Sequence, residues 1–248
     1  MIQIVSKRRW AQLGDVRRRI GAILLALVTA GSTPASEPPL VAIDVGHTLA
    51  APGAASARGR SEFEFNLELA QIVATALTQL GLRAVLVNAD GRIASLAARA
   101  EMAPDADLLI SIHHDSVGEH ELSDWTWEGR TQRYSDRWRG HSLFVSRRNP
   151  DPDRSLLCGS AIGARLQRAD FVPTDKNGRS REYADPLHAV HYYDNLVVLY
   201  RARQPALLFE AGVIRHREEE LMLRDPQRQA LMASEIATGV AACLMAGR

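Results

Sequence analysis

The sequence predicts a single α/β domain in which a mixed, mostly parallel sheet carries helices on both faces. Three observations lead there. Short apolar runs recur without polar alternation, segments of 3.6-residue periodicity separate them, and the order is strand, helix, strand, helix, strand. Parallel strands need a crossover that a helix supplies, and strands apolar throughout are buried on both faces.

After a Pro-rich junction at 34–39, residues 40–44 (LVAID) form the first strand, ended by Gly46. Residues 64–80 set Phe65, Leu67, Leu69, Ile72, Val73, Ala76, Leu77 and Leu80 at helical spacing and stop at Gly81. Strand 83–87, a short helix 96–102 closed by Pro104, and the buried strand 107–112 (DLLISI) follow. Residues 118–139 carry Trp125, Trp127, Tyr134 and Trp138 among many charges without apolar periodicity, and are expected to form a long surface insertion. Beyond it come strand 141–145, helix 155–166, a polar loop 175–184 and core strands 196–200 and 206–209. Asp225 and Pro226 then open a helix reaching about Met245.

With 248 residues, 46% hydrophobic and 24% charged, the chain can bury one sizeable core. Its formal charge of +1 conceals an asymmetry, because residues 1–36 hold six of the 30 basic residues and one of the 29 acids. Residues 37–248 therefore carry 24 basic and 28 acidic residues, which argues against nucleic acid as a partner. The leading segment joins basic residues to an apolar run at 20–30 and small residues after it, the pattern of a signal peptide or N-terminal targeting segment. Eleven apolar residues fall short of the about 20 a membrane helix needs, so the expectation is an exported chain, periplasmic or in the cell envelope, without a stable membrane span after processing. An uncleaved N-terminal anchor is the alternative. Cys158 and Cys243 are expected as two buried thiols, although export would permit a disulfide.

His47 follows the first strand, His113 follows DLLISI and Glu210 follows ALLF. All three fall at carboxyl ends of strands, where open α/β sheets place their ligand sites. A carboxylate at the start of the first long helix, Glu62 or Glu64, stands ready to join them. Taken singly, each histidine would read as a strand-end cap and each acid as a first-turn partner of the helix dipole. Together, two imidazoles and one carboxylate leave the fourth tetrahedral zinc position open for water, as catalytic sites do. Glu210 would then act as general base, and the reaction class is metal-assisted amide hydrolysis.

Four segments in order, AIDVGH (42–47), EFEFNLELA (62–70), SIHHDS (111–116) and PALLFEAGVI (205–214), resemble the zinc-dependent N-acetylmuramoyl-L-alanine amidases, cell-wall hydrolases of the type-3 fold. The resemblance runs over about 40–245 and implies a zinc amidase catalytic domain at 37–248 that holds one zinc ion. It implies His47, Glu62 and His113 as ligands, Glu62 being preferred over Glu64 by its spacing to Asn66, and Glu210 as the catalytic residue. The implied substrate is peptidoglycan, cut between the lactyl group of N-acetylmuramic acid and L-alanine, with an activator protein as a candidate partner. Where the family commonly reads Pro-Gly-His-Gly-Gly, this chain has Val45, Gly46, His47, Thr48 and Leu49, and His216 stands where an Asn is usual. The rival readings are another zinc peptidase or deacetylase on a similar scaffold, or a catalytically silent wall-binding module. Trp125, Trp127 and Trp138 would either wall the substrate site or pin their own loop, and an acid among Glu119, Glu121, Asp124 and Glu128 could cap the zinc. The remaining histidines read mostly as surface or structural residues, His188 or His191 being the best placed among them for a further substrate contact.

Overall fold

Continuous apolar runs become parallel strands here because both of their faces meet helices. The computed structural model describes residues 37–246; the targeting segment expected over 1–36 lies outside them. β1 (Leu40–Val45) pairs in parallel with β2 (Arg83–Val87) on one side and β3 (Leu108–Asp115) on the other. β3 continues in parallel to β9 (Ala206–Val213). Beyond β9 the direction reverses at β6 (Ser142–Val145), which pairs in parallel with β8 (Val190–Tyr192), and β7 (Tyr183–Asp185) closes the edge antiparallel to β8. The seven-stranded order is β2-β1-β3-β9-β6-β8-β7.

Alternate side chains of these strands face two separate cores. Val41, Ile43, Ile110, Ile112, Leu207 and Phe209 pack with α1 (Glu62–Gln79), α3 (Pro152–Arg168) and α6 (Pro226–Met245). Ala42, Leu109, Phe144 and Leu208 pack with α2 (Leu96–Glu101) and α4 (Val197–Tyr200). The mixed, mostly parallel sheet with helices on both faces is thus as the sequence predicts. No helix among the described residues is long and apolar enough to cross a membrane.

Three expectations are corrected. Residues 196–200, expected as a core strand, form the helical turn α4 with Val198 and Leu199 buried. A short apolar run carries no period long enough to separate helix from strand, and β8 takes the sheet position instead. Residues 175–184, read as a loop, contain the start of edge strand β7. Within the insertion, β4 (Ser123–Trp127) and β5 (Arg130–Tyr134) form an antiparallel hairpin. Its two turn residues, Glu128 (φ 48°) and Gly129 (φ 73°), are both left-handed, as the tightest hairpin turns require.

The cysteines are not free thiols. Cys158 on α3 and Cys243 on α6 form a disulfide, with Cα atoms 5.0 Å apart. What brings the helices so close is Gly239: a Cβ there would lie 2.7 Å from the Cα of Ile162. A helix α5 (Arg217–Leu223), unforeseen in the sequence, is capped by His216, whose Nδ1 accepts from the amides of Glu218 and Glu219.

Candidate active site

β1, β3 and β9 deliver three chemical groups to one end of the sheet. β3 and β9 run past their apolar stretches, so His113 and Glu210 lie within strands and face one another in register rather than in following loops. A register shift between His113 and Asp115 marks a bulge beside them, a common device for re-aiming side chains at sites. His47 sits just beyond β1 in the left-handed region at φ 69°. Asn88 holds that conformation, its amide donating to the carbonyls of Val45 (2.8 Å) and His47 (2.6 Å).

Glu62 is the first residue of α1 and turns inward. Its Oε1 lies 2.9 Å from His47 Nε2 and 3.0 Å from His113 Nδ1, and the possible ligand atoms of the three residues all fall within 4.8 Å of one another. Oε2 accepts from the Ala54 amide at 3.2 Å. Burial pushes the Glu62 carboxyl up, but hydrogen bonds and charge from His113 and His47 together outweigh it and hold the group below the usual carboxylate range. Glu64, the other candidate carboxylate, is occupied elsewhere: it accepts from the amide and hydroxyl of Ser61 at the helix start and faces solvent.

Two glycines leave room for this cluster. A Cβ at Gly46 would come 2.4 Å from the His113 ring, and one at Gly53 would lie 2.5 Å from Glu62 Oε2 and 2.8 Å from the His47 ring. Asn66, one helical turn after Glu62 and fully buried, ties the parts together. Its Nδ2 donates to the Gly46 carbonyl at 3.2 Å and reaches Glu62 Oε1 at 3.5 Å, so its Oδ1 is the acceptor for His114 Nδ1 at 2.8 Å. His114 is therefore a neutral donor; burial pushes it down to about 3. Deeper in the sheet, buried Asp44 accepts from Ser111 Oγ at 2.6 Å and pairs with Arg99, which also donates to the Val45 carbonyl.

Side-chain exposure is 31% at His47 and 7% at Glu62, so the cluster opens to solvent on the His47 side. There a cleft of about 410 Å³ runs over the α2 and α4 face, lined by Thr48, Leu96, Leu196, Val197 and Leu208. Glu210 faces the cluster from β9, its Oε2 buried without a hydrogen-bond partner. Burial, then the negative charges of Asp115 and Glu62, raise this carboxyl well above its ordinary range, with Lys176 and Arg181 opposing. Two imidazole nitrogens and a carboxylate oxygen at this separation are a donor set suited to zinc, and an adjacent unpartnered carboxylate is suited to taking a proton.

The other candidates are placed elsewhere. His188 is held by Asp185 at 2.6 Å, and His191 lies buried between Tyr183 and Phe144, pushed down to about 4 by that burial; neither contacts the cluster. Trp125 donates to the Ala57 carbonyl and, with Trp127, stacks around Arg58, while Trp138 donates to Glu121 at 2.8 Å. Trp125 and Trp127 pin the insertion to the domain, whereas Trp138 is bonded within the insertion itself. Glu119 pairs with Arg133 and Glu121 with Arg137 and Trp138, not with the histidines. Sequence reasoning missed Asn88 and Gly53. The Asn-Ala-Asp-Gly stretch at 88–91 was a readable turn signal, but its contact with the His47 loop is long-range.

Residues 41–242 match the family model described as N-acetylmuramoyl-L-alanine amidase. No curated protein matches the chain. Among solved structures, the N-acetylmuramyl-L-alanine amidase Ami1 from Mycobacterium smegmatis is similar with a TM-score of 0.67 at 19% identity, over 84% of this chain and 97% of that one. The catalytic domain of CwlV, an N-acetylmuramoyl-L-alanine amidase from Bacillus (Paenibacillus) polymyxa, gives 0.64 at 25% identity, over 83% and 98%. The CwlD amidase from Clostridioides difficile, solved in complex with the GerS lipoprotein, gives 0.64 at 18% identity, over 84% and 99%. With the family match spanning β1 to α6 and every element that carries the cluster, the chain belongs to the N-acetylmuramoyl-L-alanine amidase family and is an amide hydrolase.

Proposed function

We propose that this chain is an exported, zinc-dependent enzyme that hydrolyses the amide between N-acetylmuramic acid and L-alanine in peptidoglycan, with His47, Glu62 and His113 holding one zinc ion and Glu210 as general base. The observation that carries this reading is the meeting of two imidazole nitrogens and one carboxylate oxygen within 4.8 Å, with Glu210 beside them in register with His113. The fit to zinc rests on the donor set and on the space that Gly46 and Gly53 leave around it. When bound, zinc supplies Lewis-acid polarisation of the scissile carbonyl and acidifies water.

The residues of the chain account for the rest. Glu62 Oε1 already gathers the imidazole nitrogens that would share the zinc with it, and Asn66 ties Glu62 to the Gly46 carbonyl that precedes His47. Glu210 takes the proton of the attacking water and delivers it to the leaving nitrogen of L-alanine. Its buried, unpartnered Oε2 and raised affinity for protons suit it to hold that proton between the two transfers. Export fits the Cys158–Cys243 disulfide, since such bonds persist outside the reducing cytoplasm, and residues 1–36 would serve as the targeting segment. An activator protein is a fitting partner, given a structurally similar amidase solved in complex with a lipoprotein.

Digestion of purified peptidoglycan by the zinc-loaded chain should release new alanine amino termini and free lactyl groups of muramic acid. Glu210→Ala should keep one zinc per chain and lose about 100-fold or more of the turnover. Equal turnover in that variant, or cleavage at another amide, would sink the proposal.

A further inference from the structure

Between the insertion and residues 176–181 lies a second groove of about 400 Å³ with the opposite character to the apolar cleft. His120, Arg137, Trp138, Lys176, Arg179 and Arg181 line it. Four of these are permanent cations, in a domain whose overall balance is slightly acidic. Two are already neutralised, Lys176 by Asp115 at 2.7 Å and Arg137 by Glu121 at 3.1 Å. Arg179 and Arg181 form no ion pair with a carboxylate among the described residues. Each instead lays its guanidinium on an aromatic ring, Arg179 at 5.3 Å from Trp138 and Arg181 at 3.5 Å from Tyr193. A guanidinium whose face is stacked keeps its N–H edge for a bidentate acceptor, and the Nε of Arg181 is buried without one.

Lining residues of the groove are tied by hydrogen bonds to the strands that carry the proposed reaction centre. Of these, Lys176 and Asn177 both bond Asp115, two positions after His113 on β3. Asn177 also donates to Ser142 Oγ, and Ser142 is the register partner of Glu210. Charge from Lys176 and Arg181 reaches Glu210, so the centre lies between two unlike grooves, one apolar and one with two guanidinium groups that form no ion pair among the described residues. An N-acetylated sugar is uncharged, whereas a peptide beginning at alanine carries free carboxylates.

We infer that the groove of Arg179, Arg181 and Trp138 binds a carboxylate of the peptide on the alanine side of the scissile amide, which fixes the substrate's direction across the site. The inference rests on the proposed amidase site for the identity of its ligand, but its test does not depend on turnover. L-alanyl-glutamate and the same dipeptide with both carboxylates amidated are titrated calorimetrically into the full chain and into Arg179→Gln and Arg179→Lys. The acidic dipeptide should bind about tenfold or more tighter than the amidated one, since one charged hydrogen-bonded pair is at stake. Arg179→Gln should erase that difference and Arg179→Lys should restore part of it. Arg179 is exposed and its side chain makes no hydrogen bond among the described residues, so its replacement should leave the fold unperturbed. In turnover assays with muramoyl peptides, Arg179→Gln should raise KM for the acidic substrate with kcat within twofold. Equal binding of the two dipeptides to the unaltered chain would overturn the inference, as would a preference that survives Arg179→Gln. An inactive chain that still binds the acidic dipeptide through Arg179 would instead overturn the hydrolytic reading and leave the groove standing.

Discussion

Asn66→Ala is the sharpest probe of how the site is held. Asn66 is fully buried and its amide spans three partners, the Gly46 carbonyl, Glu62 Oε1 and His114 Nδ1. Truncation leaves the Gly46 carbonyl and the His114 N–H buried without partners. Each unsatisfied group costs about 1–3 kcal/mol, so the variant should lose roughly 3 kcal/mol of stability. For a domain of this size that corresponds to a melting temperature lower by roughly 6–12 °C. A merely structural residue would stop there. Because Asn66 also orients Glu62 and the backbone before His47, zinc affinity should fall about 10–100-fold, the usual loss when a partner of a ligand is removed. Competition against a fluorescent chelator measures the affinity, and melts at saturating zinc measure the stability. A zinc affinity within twofold of the unaltered chain, alongside the drop in melting temperature, would refute the positioning argument.

Two further outcomes follow from buried groups remote from the cluster. The Cys158–Cys243 bond spans 85 residues, and constraint of so long a loop in the unfolded chain is worth about 4–5 kcal/mol. Double replacement by serine should therefore lower the melting temperature by roughly 10 °C or more, and equal melting in both proteins would contradict the pairing. Burial raises Glu219 from 4.5 to about 7 despite the amides of Val213 and Gly140 that it accepts. The folded state thus binds the proton more tightly than the unfolded one, so this group favours folding below about pH 4.5, and its contribution declines as pH rises to about 7. The stability difference between the unaltered chain and Glu219→Gln should change by roughly 3 kcal/mol across that window, and a constant difference would refute it.

The architecture was legible because its signals are local. Unbroken apolar runs at β1, β3 and β9, and helical spacing with clear stops in α1 and α6, declare themselves within a few residues. Strand-end placement likewise singled out His47, His113 and Glu210 from the sequence alone. Choosing Glu62 over Glu64 needed a resemblance, since both are first-turn acids. In the folded chain Glu64 is drawn outward by Ser61, while Glu62 and Asn66, four residues apart, share the face of α1 that meets the Gly46 loop. Long-range packing decided the rest. Cys158 and Cys243 join because Gly239 lets two helices approach, residues 197–200 coil because β8 has taken the neighbouring sheet position, and the tryptophans of the hairpin are committed to the loop carrying Ala57 and Arg58. A chain states its own periodicity, but which distant surface each face will meet is settled only when the whole core closes.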